Sequence, residues 1–199
     1  MPGFDPIPAR RHLLRGAAWA APAAAVAVAA PAVAASPTPT LGGTLSLSSS
    51  TATGTSGRTQ TITIDGSAAY PTAGIWMENV PDTPNPTAAR FTLYLPSTYT
   101  GLTWTRVGAD RTWTIPTADS DAPAKNGYTA YTTTYSPPTT APPWLRDTSL
   151  RRIYATGRPH FQAVRSIAST VPAPTVYSLR RVTYNGRNYT LQRGPLTLT

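Results

Sequence analysis

The sequence predicts an all-β fold, a β-sandwich of about seven to nine short strands over residues 44–199. Three observations carry this expectation. Apolar residues recur with period two rather than 3.6, and threonine or serine fills the alternate positions. Glycine, proline, asparagine and aspartate punctuate these runs at short intervals. Two segments also read as hairpins, with matching alternating arms on either side of a turn.

The elements follow in order. TLSLS alternates through Leu45 and Leu47, and TQTITID through Ile62 and Ile64 before Asp65-Gly66 stops it. GIWMENV runs into the turn-rich VPDTPNPT. RFTLYLP sets Phe91, Leu93 and Leu95 on one face and breaks at Pro96. LTWTRVGADRTWTI predicts a hairpin whose arms, Leu102–Trp104 and Trp113–Ile115, flank a loop with Gly108 and Asp110. In YTAYTTTYS the tyrosine spacing fits a helix face, but the threonines favour strand or loop. SPPTTAPPW must be an extended connection. PHFQAVRSIAS fits a helix stripe or a strand, and strands on both sides favour the strand. RVTYNGRNYTL centres on Asn185-Gly186, which suits a type I′ turn because both central residues need positive φ.

FTLYLPSTYTGLTWTRVGADRTWTI, about residues 90–116, has an apolar strand ending in proline, a glycine turn and a tryptophan strand. It is similar to the immunoglobulin-like domains of bacterial surface proteins. The resemblance implies an immunoglobulin-like β-sandwich, without the cysteine pair of antibody-type domains, since the chain has no cysteine.

Residues 10–36, RRHLLRGAAWAAPAAAVAVAAPAVAAS, pair a basic start with an uncharged alanine-rich run and a small-residue end. A membrane anchor would need a strongly apolar run of about 20 residues. This one has no leucine or isoleucine between Gly16 and Ala35 and contains Pro22 and Pro31. The layout is that of a cleavable signal peptide over residues 1–35, with Ala32, Ala34 and Ala35 at the cleavage site. Arg10, Arg11, Leu13, Leu14 and Arg15 resemble the twin-arginine export motif, as in secreted proteins of actinobacterial type. That resemblance implies a folded cargo, the twin-arginine translocase as export partner, and membrane contact only through the signal. SPTPTLGG, residues 36–43, reads as a linker.

The absence of cysteine excludes lipid attachment at the cleavage site, thiol catalysis and cysteine metal sites. Arginine, alanine and proline, all with GC-rich codons, fit a high-GC Gram-positive source. The net charge of +9 is unevenly spread. Residues 146–199 hold nine arginines against Asp147 alone, whereas residues 36–145 carry a net −1. Within the basic end, Arg146, Arg151, Arg152, Arg180, Arg181 and Arg187, together with Arg158, are candidates for an anionic-ligand patch. The alternative is scattered, solvated arginines.

Catalytic material is sparse. His160 is the only histidine after the signal, and it follows Pro159 as a surface or turn residue would. Asp119 and Asp121 suit solvation, or calcium, better than acid–base work. GTSG at 54–57 lacks nucleophile-elbow spacing, and LPST at 95–98 lacks the glycine of a wall-sorting signal. Trp104 and Trp113 are either core residues, as their companions Leu102 and Ile115 suggest, or a sugar-stacking platform.

These features predict a secreted or cell-wall-associated, non-enzymatic surface interaction protein, with no cofactor or metal. Anionic wall polymers or polysaccharide are the expected partners, and export argues against nucleic acid. A carbohydrate-binding module and a small extracellular hydrolase are the alternatives.

Overall fold

The computed structural model describes residues 38–81, 83–139, 142–169 and 171–199. The export motif (Arg10, Arg11, Leu13, Leu14, Arg15) and the cleavage residues Ala32, Ala34 and Ala35 lie outside the described residues. Among the described residues the chain is all-β, with thirteen strands in three antiparallel sheets and no helix. No described helix is long and apolar enough to cross a membrane.

The first sheet orders β1 (Thr40–Thr44), β4 (Gly74–Glu78), β10 (Arg152–Ala155) and β9 (Trp144–Asp147). The second orders β2 (Ser46–Gly54), β3 (Gly57–Asp65), β11 (His160–Ile167) and β6 (Thr103–Arg106). The third orders β13 (Arg187–Thr197), β12 (Thr175–Tyr184), β5 (Ala88–Pro96), β8 (Tyr128–Thr134) and β7 (Thr117–Ala118).

The strands outnumber the expected seven to nine because several long ones are interrupted. Leu45 alone separates β1 from β2, residues 66–73 separate β3 from β4, and residues 156–159 separate β10 from β11. The pairings match across the break: β1 with β4 and β4 with β10 on one side, β2 with β3 and β3 with β11 on the other. Gly66 N–H donates to Pro159 O at the interruption (2.8 Å).

Period two sorts the faces as the sequence predicts. Ile62 and Ile64 of β3, Phe91, Leu93 and Leu95 of β5, and Phe161 and Ala163 of β11 turn inward. They join Ile75, Met77 and Ile153 of the first sheet and Val176 and Val182 of the third in one apolar cluster. Full burial of each large aliphatic or aromatic side chain contributes about 1.5–3 kcal/mol, so this cluster is the main stabilising feature. YTAYTTTYS and PHFQAVRSIAS form β8 and β11, strands in both cases. Asn185 and Gly186 close the β12–β13 hairpin with φ of 47° and 69°, both positive.

Two local expectations are corrected. Residues 40–43, read as linker, belong to β1 and pair with β4. Gly42 lies opposite Trp76, and a Cβ there would come within 2.3 Å of the indole nitrogen, so the ring rests on bare backbone. The glycines that look like linker are a seat for an aromatic. The hairpin expected between Leu102–Trp104 and Trp113–Ile115 does not form either. β6 pairs with β11 instead, and Trp113 makes an isolated bridge to Tyr135. Asp110 explains the divergence. Its carboxylate accepts from Thr112 N–H (2.8 Å), from the Thr112 hydroxyl (2.6 Å) and from Arg158 N–H (2.6 Å), tying the loop to the β10–β11 connection. Arg106 Nη2 then donates to Trp113 O (2.6 Å), so the arms meet through a side chain rather than a ladder.

Candidate functional site

The β9–β10 hairpin brings Arg146, Asp147, Arg151 and Arg152 together. Its turn is built by Asp147, whose Oδ1 accepts from the Ser149 hydroxyl (2.6 Å) and Leu150 N–H (3.1 Å). Those bonds, the Ser149 hydroxyl first, hold the Asp147 carboxyl below its ordinary range. Arg151 completes the turn with φ of 51°, and its carbonyl accepts from Asn79 N–H (3.0 Å). A left-handed conformation costs a Cβ-bearing residue roughly 1–2 kcal/mol, and arginine offers no local compensation of the Asn or Asp kind. A strained, exposed arginine is an observation from which function can be argued.

Around this turn lies a cleft of about 380 Å³ lined by Val80, Pro81, Arg146, Asp147, Thr148, Arg151 and Arg152. Three of the seven arginines singled out from the sequence therefore converge. They are not equally available. Arg146 donates to Pro81 O (2.9 Å) and Asn85 Oδ1 (3.1 Å), holding these two residues. Arg152 pairs with Glu78 (2.7 Å), and its guanidinium lies 5.0 Å from the Trp76 ring centroid. Arg151 has no such structural duty and is exposed.

The face of the first sheet that carries Arg152 also carries an aromatic group. Register places Tyr154 opposite both Trp76 and Leu145. Tyr70 stacks on Tyr154 with centroids 3.9 Å apart and planes within 3°, and meets Trp76 edge-on at 5.8 Å. Tyr70 donates its hydroxyl to Asp147 Oδ2 (2.9 Å), which fixes the ring. Burial first, then this bond to a carboxylate, raises the Tyr70 phenol above its ordinary range. Trp76 donates Nε1–H to Glu78 (2.9 Å). Beside the stack, Leu145 and a concavity bounded by Ala68, Ala69 and Arg158 remain open. Aromatic faces next to fixed charges can take a sugar ring and its anionic substituent together.

The remaining arginines go elsewhere. Arg181 lies on β12 with its side chain on the face opposite Val182, Arg187 is exposed beside the Asn185-Gly186 turn, and Arg158 donates to Ser67 O (3.3 Å). Arg180 points inward, opposite Phe91 on β5, and is only 2 % exposed. Its Nε and Nη1 have no hydrogen-bond partner, and burial first, with Arg193 nearby, pushes its guanidinium down to about 10. It is not a surface ligand.

Trp104 and Trp113 are 9 % and 1 % exposed and belong to the core cluster. Their rings pack on Tyr131 and Tyr135, so neither offers the free face that a sugar platform needs. Ile115, by contrast, is exposed, because no strand follows Trp113 to keep the two in step. The aromatic group of Tyr70, Trp76 and Tyr154 was missed from sequence. Trp76 sits in the continuous apolar run Ile75–Met77, where no alternation marks its face, and Tyr70 sits in a loop with no pattern at all.

His160 faces Asp65 across β3 and β11 (3.9 Å) without a nucleophile beside it. Asp119 Oδ1 accepts from Asp121 N–H (3.0 Å), a local turn. Among the described residues no three histidine, cysteine or acidic side chains gather as metal ligands. No protein-family model matches this chain, and no curated protein is similar to it.

Proposed function

We propose that this chain is an exported, secreted or cell-wall-associated interaction protein, not an enzyme, that holds anionic wall polymers at the Arg146, Arg151 and Arg152 cleft. One observation carries the proposal: Arg151 is kept in a left-handed conformation at the lip of a cleft between two structurally engaged arginines. Arginine is the side chain best suited to phosphate and carboxylate groups, because its planar fork donates two parallel hydrogen bonds. Export through the twin-arginine pathway rests on the sequence motif and accords with a cysteine-free domain that needs no external oxidation.

An immunoglobulin-like sandwich is the finer reading of the fold. Its support is the matching pairing order of the first two sheets, which reads as one bent layer, and the single apolar cluster shared with the third.

Polysaccharide binding is the second reading. The Tyr70–Tyr154 stack favours it, in place of the buried Trp104 and Trp113. The two readings separate cleanly. Purified protein mixed with cell walls should pellet at low salt and release as salt rises if the arginines dominate, because screening shortens to about 8 Å at physiological ionic strength. Retention that survives high salt but is lost in Tyr70→Ala would favour the sugar reading. Salt-insensitive retention that Tyr70→Ala also leaves intact would overturn both.

A further inference from the structure

We propose that Arg90 and Arg181 form a second, separate anion site on the outer face of the third sheet, shaped for a phosphate or sulfate dianion. Register puts Arg181 of β12 directly opposite Arg90 of β5, on the side away from Phe91, Val182 and the core. Side chains in such a pair start about 5 Å apart at Cβ, and like charges directly opposite destabilise a sheet. Neither guanidinium lies within ion-pair distance of a carboxylate among the described residues. Asp119 feels the Arg90 charge but is committed first to the Thr132 hydroxyl and to the amides of Asp121 and Ala122.

The two arginines line a concavity of about 260 Å³ with Ala88, Thr183 and Asn188. Ala88 leaves the floor clear. Thr183 donates its hydroxyl to Asn188 Oδ1 (2.8 Å), so the asparagine turns its Nδ2 amide, a donor, outward. Two guanidinium forks and an amide make a charged rim of donors only. Donors from three directions suit a tetrahedral oxyanion better than a planar carboxylate, and a dianion relieves the repulsion that the bare pair suffers. This site shares no residue with the Arg151 cleft and stands whether or not that reading survives.

The test is a ¹H–¹⁵N NMR titration of the full chain with inorganic phosphate at constant ionic strength, with sodium acetate and sodium chloride as parallel arms. Expected are saturable shifts of the Arg90 and Arg181 Nε–H and Asn188 Nδ2–H signals with phosphate, stronger than with acetate and absent with chloride. Arg90→Gln and Arg181→Gln should each weaken phosphate binding, read at the Asn188 Nδ2–H signal, at least tenfold. If Arg181→Gln loses the dispersed spectrum of the fold, Arg90→Gln, at an exposed position, decides alone. Shifts that stay linear in phosphate, that chloride reproduces, or that persist in Arg90→Gln would overturn the site.

Discussion

Arg180 is the residue whose environment most departs from its chemistry. A guanidinium 2 % exposed, with Nε and Nη1 unpaired and the Phe91 ring 5.8 Å away, lacks most of the bonds that normally compensate for burying a charge. Its folded pKa is depressed to about 10, well below the ordinary guanidinium range. The unfolded chain therefore binds the proton more readily, and stability rises as pH climbs above about 10. Arg180→Met keeps the stem packed against Phe91 and removes the charge, so it should stabilise the fold by about 1–4 kcal/mol, read as a higher urea midpoint. A lower midpoint would mean that the guanidinium has a partner in solution. Asp110 is the opposite case. Burial raises its pKa, but the bonds from Thr112 and Arg158 overcome this and leave it below the ordinary 3.8. Its contribution is present above that value and fades as pH falls through the folded pKa. Asp110→Ala should cost about 1–2 kcal/mol at pH 7, and the difference from wild type should shrink in an acid urea series below about pH 3.8. A constant difference across that range would contradict the assignment.

At the scale of elements, what the sequence reveals and what it hides follow from the range of the interactions. The Asn185-Gly186 hairpin is legible because its turn chemistry is local, and the inward faces of β3, β5 and β11 are legible because period two reports burial directly. Gly186→Ala should cost roughly 1 kcal/mol by forcing a Cβ into φ of 69°, seen as a lower melting temperature with the fold retained. The 102–115 hairpin misled because its arms match, while the interactions that decide its path, Asp110 to Arg158 and β6 to β11, span about 50 residues. Gly42 and Gly43 read as linker because nothing local discloses that the indole of residue 76 lies across the first and the backbone of residues 74 and 75 against the second. The candidate site was half legible. Doublet Arg151-Arg152 and nearby Arg146 stand out in sequence, but Tyr70 joins them only through long-range contacts, its hydroxyl bond to Asp147 and its stack on Tyr154, 77 and 84 positions later.

Over the whole molecule, the positive charge of the last third does not form one patch. Register on the third sheet sends Arg180 inward and Arg181 outward, as alternation requires of any doublet on a strand. Arg165 is held by Gln60 (2.9 Å) and lies over Tyr99, and Arg193 reaches towards Gly43 O (3.5 Å). Much of the arginine excess thus stitches backbone carbonyls and rings across sheets, a structural use in a chain with one lysine and no disulfides. What remains for partners is concentrated at the Arg151 turn and at the Arg90–Arg181 pair. Arg151→Gly separates structure from binding at the first of these, because glycine accepts φ of 51° without strain. The decisive measurement is co-sedimentation of wild type and Arg151→Gly with purified cell walls across a salt series, alongside urea unfolding of both. The account predicts that Arg151→Gly is at least as stable as wild type yet binds about threefold more weakly at low salt, roughly 0.7 kcal/mol. Equal binding by the two proteins, or binding indifferent to salt, would contradict it.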